Sequence, residues 1–333
     1  MSLRRSGPWR SWLSRKKPGV VGRLSVTDRV VVAMDGSTRA CTVALLAPPA
    51  DARRAGKGWD HDRWEVRGRR SDVGSEGGAR GLLHFVDELL RELGAVPQDI
   101  TGVVVGTGPG TFTGVRLAVA TARALALAVD CPVLGVSTLS ALAAQAACET
   151  WSREGAVGGR LDRLVCFVDA KRGQVFYAVY EAVRPQQVAT GSEQADDTKH
   201  PGRSATTRTW QLAGGYGVCA REELAEVATV GAPRGVLVGE DDGSPVLLPP
   251  GWTRLPCPVS AEHLVIGQGL LAEPGDGLTG HRALAWLTEV VLGSGGAWSH
   301  GPGCPGSPES VQPIYVRPPD ADVHITKMRD PWA

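Results

Sequence analysis

A glycine-rich segment offers the clearest chemistry in the sequence. Residues 106–116 read GTGPGTFTGVR and stand between the apolar run 102–106 and a helical pattern. Free amides and the positive dipole end at the start of a helix attract anions, and glycine lets a backbone approach closely. The pattern indicates a phosphate or other anion loop, with the candidate residues Gly108, Pro109, Gly110, Thr111, Thr113 and Gly114.

The same segment lacks features of the common nucleotide loops. No Gly-Lys-Ser/Thr follows the glycines, and their spacing does not match a dinucleotide fingerprint. A tight strand-to-helix turn without any ligand explains the glycines equally well. The residues by themselves leave these two interpretations open.

Two aspartates at the ends of apolar runs form a second candidate group. Asp35 opens the turn Asp35-Gly36-Ser37-Thr38, and Asp169 opens a similar turn that ends at Gly173. In actin-like ATPases a turn of this kind holds the phosphates and metal of the nucleotide, although an ordinary hairpin turn has the same composition. The surrounding stretches, VVVAMDGSTRACTVALL and LVCFVDAKRGQVFYAVY, indicate an internal duplication. We therefore add Asp35, Ser37, Thr38 and Asp169 to the candidate site.

The elements that must position these residues alternate along the chain. The first half predicts three strands (30–33, 41–47 and 64–67), a helix (82–93), a strand (102–106), a helix (113–129), a strand (132–136) and a further helix. This is the order of a ribonuclease H-like unit. The second half predicts strands at 164–168, 174–180 and 235–239 and helices at 221–228, 261–271 and 282–292. The sequence therefore predicts an α/β fold with two similar lobes.

Composition excludes several classes of protein. Hydrophobic residues make up 42% of the 333 residues, which excludes wholesale disorder. The longest apolar run, 115–129, contains Arg116 and Arg123, so we expect no membrane span. The seven cysteines include no C-x-x-C pair, which argues against a zinc site or a disulfide framework and favours a cytoplasmic protein.

Charge is distributed unevenly along the chain. Residues 1–29 carry a net charge of +7, and residues 30–333 carry −6. We interpret the basic head as a solvated extension and leave open a role as an RNA-binding arm. The predicted organisation is an extension (1–29), a first lobe (30–137), a second, degenerate lobe (138–318) with insertions at 183–208 and 294–310, and a tail (319–333).

Four segments together resemble the TsaB (YeaZ) family, whose members are required for N6-threonylcarbamoyladenosine at position 37 of tRNA. They are MDGSTRACTVALL, the block from GVVVGTGPGTFTGVR to VSTLSALA, VDAKRGQVFYAVY and PIYVRPPDA. The resemblance implies two ribonuclease H-like lobes of the actin and sugar-kinase type. It also implies a vestigial anion loop, with no catalytic residue, metal or cofactor of its own.

The resemblance implies partners as well. A TsaB-like chain pairs with and activates its paralogue TsaD, joins TsaE in a ternary complex, and meets tRNA only through that complex. The resemblance leaves open whether the free chain forms a homodimer. It also leaves open whether ATP or ADP with Mg²⁺ binds at the junction with TsaD. We expect the partner surface on helices 82–93 and 113–129, at Leu82, Leu83, Val86, Leu90, Leu117, Ala120 and Ala124. The alternative is that both helices are buried inside this chain.

The residues keep two other functions open, a stand-alone actin-fold ATPase or kinase and a metallopeptidase-like hydrolase. The hydrolase lacks support, because no two of the seven histidines are four residues apart, as a helical metal pair requires. An autonomous kinase would need an adenine pocket in the second lobe, where the only candidate glycine turns are Gly214-Gly215 and Gly239.

We expect a chain that begins at Arg29 not to bind tRNA. Phosphate recognition draws on clustered Lys and Arg, whereas residues 30–333 are net acidic. A gel shift at moderate salt, comparing this truncated chain with the full chain, checks the prediction. Salt-sensitive binding by the truncated chain would contradict it, and binding by the full chain alone would make the basic head an RNA-binding arm.

Overall fold

The computed structural model describes nine stretches of the chain. They are residues 29–48, 64–73, 78–157, 161–183, 209–240, 248–272, 286–287, 290–291 and 306–316. The predicted extension up to residue 28, most of both predicted insertions and the predicted tail lie outside these ranges. The domain boundaries given above stay a prediction.

Five strands form the first sheet. They are β1 (Val30–Asp35), β2 (Ala40–Ala47), β3 (Glu65–Val73), β4 (Ile100–Gly106) and β5 (Val133–Val136), in the spatial order β3-β2-β1-β4-β5. Strands β1, β2 and β3 pair antiparallel, while β4 lies parallel to β1 and β5 parallel to β4. The apolar strands β1 and β4 are buried at the centre, and the charged β3 forms an edge, where its arginines discourage further strand pairing.

Three helices belong to this half of the chain. Helix α1 (Gly78–Leu93) precedes β4, α2 (Phe112–Val129) lies between β4 and β5, and α3 (Thr138–Val157) follows β5. Helices α1 and α2 pack side by side on one face of the sheet. Helix α3 places Ala141 against the opposite face and Leu139 and Leu142 against the second sheet, so it joins the two halves.

By length and composition, α2 is the one described helix that could cross a membrane. Packing within the protein explains its apolar character, because seven of its residues are buried and its core face packs on the first sheet. Arg116 and Arg123 interrupt the rest of its surface.

The second sheet repeats the first. Its strands are β6 (Arg163–Lys171), β7 (Gln174–Ala182), β8 (Trp210–Leu212), β9 (Gly217–Ala220), β10 (Gly235–Gly239), β11 (Trp252–Pro256) and β12 (Leu271–Ala272), with a short helix α4 (Leu224–Thr229) before β10. The spatial order is β11-β10-β6-β7-β8-β12, and β9 also pairs with β7. Because β6 is antiparallel to β7 and parallel to β10, it takes the place of β1. The predicted α/β fold of two ribonuclease H-like lobes is confirmed.

Some predicted elements differ in the structure. The predicted helix 261–271 is two 3₁₀ turns, Ala261–Leu264 and Gln268–Leu270, because Gly267 between them has a φ of 82°. The predicted helix 221–228 begins as a 3₁₀ turn, Arg221–Glu223, before α4. In the predicted helix 282–292, only residues 286–287 and 290–291 are described, and these are helical.

A C-terminal strap, residues 306–316, returns to the first lobe and contains the 3₁₀ turn Pro308–Ser310. The amide of Val133 donates to the carbonyl of Gly306 (2.9 Å), and the amide of Ile314 donates to the carbonyl of Thr107 (2.8 Å). Val311 is buried in the core beneath α2. The strap therefore covers the β5 side of the sheet and places Tyr315 beside the start of α2.

Candidate functional site

The Asp35 turn (residues 35–38) is closed by the chain's own hydrogen bonds. Oδ1 of Asp35 accepts from the amide (2.7 Å) and hydroxyl (2.6 Å) of Ser37, and Oδ2 accepts from the hydroxyl of Thr138 (2.8 Å). Asp35 and Thr138 are fully buried. Burial raises the pKa of Asp35, and the hydrogen bonds from Ser37 and Thr138 oppose that rise. The carboxyl group thus ties β1 to the first residue of α3.

The glycine loop (residues 107–111) packs backbone to backbone against this turn. The amide of Thr111 donates to the carbonyl of Ser37 (2.7 Å). A Cβ at Gly110 would lie 2.2 Å from the carbonyl oxygen of Ser37, and a Cβ at Gly114 would lie 2.0 Å from that of Gly36. These glycines therefore permit contact within the chain, which is the role of a tight turn rather than of a ligand cradle.

Two more contacts hold the glycine loop in place. The carbonyl of Gly108, which has a φ of 86°, accepts from the amide of Thr138 (2.8 Å) and the hydroxyl of Ser137 (3.2 Å). Pro109, which follows a cis peptide bond, is buried with Gly108. Thr111 precedes α2 without a side-chain capping bond, and Thr113 is exposed. The loop thus brings the predicted residues together, with the amide of Thr111 committed to the turn.

The Asp169 turn repeats one hydrogen bond of the Asp35 turn in different surroundings, with Lys171 and Arg172 at φ values of 65° and 56°. Oδ1 of Asp169 accepts from the amide of Lys171 (2.9 Å), as Asp35 accepts from the amide two residues on. Asp169 is partly exposed, and its carboxylate pairs with Lys171 (3.0 Å) and Arg221 (3.4 Å). Although burial raises its pKa, the hydrogen bonds and charges of Lys171 and the charge of Arg221 lower the pKa overall.

Glu240, which follows β10, lies near the aspartates of both turns and was missed by the sequence analysis. Burial raises its pKa, and the charges of Asp35 and Asp169 raise it further, against a hydrogen bond from Thr38 and the charge of Arg39. The carboxyl group of Glu240 therefore lies within electrostatic reach of the aspartates of both turns. No three His, Cys, Asp or Glu side chains are grouped as for a metal ion in the described part of the chain.

The predicted partner surface needs correction on α1. Leu82, Val86 and Leu90 are at most 1% exposed and belong to the core of the first lobe. They do not form an accessible surface, because α1 packs on β2 and β3 and the sheet uses this apolar stripe. Leu83, on the adjacent side of the helix, is half-buried.

On α2, the predicted residues face outward. Leu117 is half-buried, and Ala120 and Ala124 are exposed. Together with two other exposed residues they form one stripe along the helix, in which successive members are 4, 3, 4 and 3 residues apart. We call this stripe the α2 face: Thr113, Leu117, Ala120, Ala124 and Leu127.

An aromatic stack that the sequence analysis missed borders the α2 face. The guanidinium carbon of Arg116 lies 3.7 Å from the ring centre of Phe112 and 5.6 Å from that of Tyr315. Its Nε donates to the hydroxyl of Tyr315 (2.7 Å). Phe112 and Tyr315 are 40% and 47% exposed, which makes them an unusual pair of surface aromatics. The motif around Tyr315 was recognised, but nothing in the sequence indicated its neighbours.

Comparison with known proteins gives a consistent result. The family model for TsaD, tRNA N6-adenosine threonylcarbamoyltransferase, matches residues 75–205. The TsaB protein of Escherichia coli K12 is 32% identical over 151 residues, which are 45% of this chain and 54% of that protein. The TsaB protein of Bacillus subtilis is 38% identical over 97 residues, or 29% of this chain and 37% of that protein. The chain therefore matches about half the length of these relatives, or less.

A solved structure shows the same fold. An uncharacterised Pseudomonas aeruginosa protein, described as similar to the peptidase YeaZ, superposes with a TM-score of 0.50 at 23% identity. The match covers 87% of this chain and all of that one. At this identity the likeness concerns the fold alone.

We expect Gly110→Val to destabilise the protein by about 1–3 kcal/mol, because the new side chain would meet the backbone of Ser37. Chemical denaturation followed by circular dichroism measures the loss. Gly215→Val is the matched control, since a Cβ at Gly215 meets no atom within 4 Å. Equal stability of the two variants would contradict the assigned contact.

Proposed function

We propose that this chain, which belongs to the TsaB (YeaZ) family, serves threonylcarbamoyladenosine modification of tRNA as a non-catalytic subunit. It pairs with a TsaD paralogue and activates it, with TsaE as a further member of the complex. The modified residue is adenosine 37, the tRNA is held through the complex, and the chain works in the cytoplasm.

The Asp35 turn carries this proposal. A nucleotide site at this place would need a carboxylate and amides open to phosphate and metal. Here the carboxyl of Asp35 is fully buried and takes three hydrogen bonds from Ser37 and Thr138. The glycine loop fills the adjoining space with its own backbone. This arrangement supports a structural role for the motif.

Charge around the two aspartate turns also supports the proposal. The carboxyl group of Glu240 lies within electrostatic reach of Asp35 and Asp169, and the lysine and arginine beside Asp169 are paired with it. Carboxyl groups repel the phosphates of a nucleotide, and the two cations beside Asp169 are already engaged with its carboxylate. We therefore propose that ATP or ADP with Mg²⁺, where the complex uses it, binds at the junction with TsaD.

The α2 face supports pairing with another helix. Its spacing of 4, 3, 4 and 3 is that of a coiled-coil seam, and its alanines allow a second helix to approach closely. Leu127 is 61% exposed, which is unusual for a leucine on an otherwise apolar helix. We propose that TsaD covers this face, together with Leu83 of the neighbouring α1.

We expect the purified chain alone neither to form threonylcarbamoyladenosine nor to hydrolyse ATP above background. The reason is the closed Asp35 turn. Product analysis with tRNA, threonine, bicarbonate and ATP, and a phosphate-release assay, check the prediction. Metal-dependent turnover by the isolated chain that Asp35→Ala abolishes would favour the stand-alone ATPase or kinase instead.

We expect Leu83→Glu and Ala124→Glu to weaken binding to the TsaD of the same organism by roughly tenfold or more, because each would bury a charge in the interface. Titration calorimetry measures the affinity, and circular dichroism checks that the variants fold. Val230→Glu is the control, since Val230 is 66% exposed on the second lobe. Unchanged affinity in both test variants would place the interface elsewhere. Leu90→Glu should unfold the first lobe, because Leu90 is fully buried.

A further inference from the structure

A segment of the second lobe crosses to the first sheet and returns. The chain leaves the second sheet after β11, forms the 3₁₀ turn Ala261–Leu264, and re-enters that sheet at β12. Between these strands the buried side chains of Ala261, Leu264 and Val265 join the apolar cluster on the face of the first sheet that α1 and α2 do not cover. We call residues 260–265 the clamp, because they hold a second-lobe segment against the first lobe.

Polar contacts fasten the edge of the clamp. Glu262 is 6% exposed, and its carboxylate accepts from Arg69 of β3 (2.9 Å) and from the hydroxyl of Ser260. The amide of Ala261 donates to the hydroxyl of Thr42 on β2 (3.4 Å). Although burial raises the pKa of Glu262, hydrogen bonds from Ser260, its own backbone and Arg69 lower it overall. A charged carboxylate therefore ties the clamp to the edge strand of the first sheet.

His263 is the polar group of the clamp that lacks such support. Its ring is partly buried, and its buried Nδ1 has no hydrogen-bond partner within the described part of the chain. The charged form of histidine carries a proton on both ring nitrogens. In that form Nδ1 would be a buried donor without an acceptor, and leaving such a donor unpaired costs more in a charged group than in a neutral one.

The charged groups that act on His263 come from three elements. They are Glu262 of the clamp, Glu149 of α3 and Arg69 of β3. Burial lowers the pKa of His263, and the charge of Arg69 lowers it further. The two carboxylates and a hydrogen bond with the backbone of Ile266 act in the opposite direction without reversing the shift. Strands β1, β2 and β4 beneath the clamp add apolar side chains and the hydroxyl of Thr42.

Both carboxylates already have partners. Glu149 accepts from the side-chain amide of Gln145 (3.4 Å) and from the thiol of Cys257 (4.0 Å), while Glu262 holds Arg69 and Ser260. Burial raises the pKa of Cys257 to about 12, so this thiol keeps its proton at neutral and acidic pH. A charged His263 would therefore have to share or break an existing contact to gain a carboxylate.

We propose that the clamp is a pH-sensitive contact, in which protonation of His263 releases residues 260–265 from the first sheet and loosens the second lobe from the first. Release lets water solvate the charged ring, which the closed clamp does not allow. The proposal concerns this chain alone and does not depend on its pairing with another protein.

The direction of the effect follows from the linkage between protonation and closure. A histidine in water has a pKa of about 6.5, and the closed clamp holds that of His263 lower. The neutral ring therefore supports closure fully above about pH 6.5, and this support is lost as the pH falls towards the lower pKa of the closed clamp. Within that window the ratio of open to closed clamp rises by up to about tenfold per pH unit.

Amide hydrogen exchange of the full chain, resolved by mass spectrometry and corrected for the intrinsic exchange rate, tests the proposal. Between about pH 7.5 and about pH 5.5, one unit either side of the ordinary pKa, we expect the protection of residues 260–265 to fall several-fold, with β10 as the internal reference. His263→Gln should abolish this response, because glutamine does not titrate. His84→Gln, at the exposed histidine of α1, is the matched control and should keep it.

A nuclear magnetic resonance titration of the His263 ring in the unmodified chain gives a second measure that needs no variant. We expect the ring to titrate below about pH 6.5, and Glu149→Gln should lower its pKa further by removing a carboxylate that favours the charged form. A ring that titrates at or above that pH would overturn the proposal. Equal loss of protection in His263→Gln and His84→Gln would overturn it as well.

Discussion

The first lobe depends on the interlock between the Asp35 turn and the glycine loop. Four elements meet there: β1 ends at Asp35, β4 leads into the loop, α2 begins beyond Thr111, and α3 begins at Thr138. The carboxyl of Asp35 and the carbonyls of Ser37 and Gly108 accept the hydrogen bonds that join them. The C-terminal strap joins this region as well, because the amide of Ile314 donates to the carbonyl of Thr107. A Cβ at Gly106 would lie 1.7 Å from a carboxylate oxygen of Asp35, so even the end of β4 has no room for a side chain.

The two lobes share a backbone plan and differ in electrostatics. In each, an aspartate at the end of the first strand accepts from the amide two residues later. In the first lobe this carboxyl is buried among hydroxyl groups and its pKa is raised; in the second it is partly exposed among cations and its pKa is lowered. The two turns therefore share the aspartate-to-amide hydrogen bond, while the first serves packing and the second faces solvent.

The sequence predicted those features that depend on local pattern. Apolar strands that end in aspartate and a glycine loop before a helix led to the α/β fold and to the two turns. Glu240 was not predicted, because a glutamate after a strand has no local signal and its neighbours Asp35 and Asp169 come from distant segments.

Other features were missed for the same reason, because a local sequence pattern does not show which distant segments pack against it. The apolar stripe of helix α1 is wide enough to cover the sheet and also to form an exposed partner surface. The sequence did not show that Leu82, Val86 and Leu90 face the sheet. The stack of Phe112, Arg116 and Tyr315 joins two ends of the chain that only the folded strap brings together.

Helix α2 shows how one element can serve a core and a surface at once. Its core face presents small residues such as Ala118, Ala122 and Ala126, which let the helix lie close to the sheet. Its opposite face repeats the same chemistry at Ala120 and Ala124, so the helix is apolar nearly all round. Hydrophobicity alone gives such a surface no preference among apolar partners. Arg116 and Arg123 interrupt this apolar surface, and burying either guanidinium without a hydrogen-bonded partner would cost free energy.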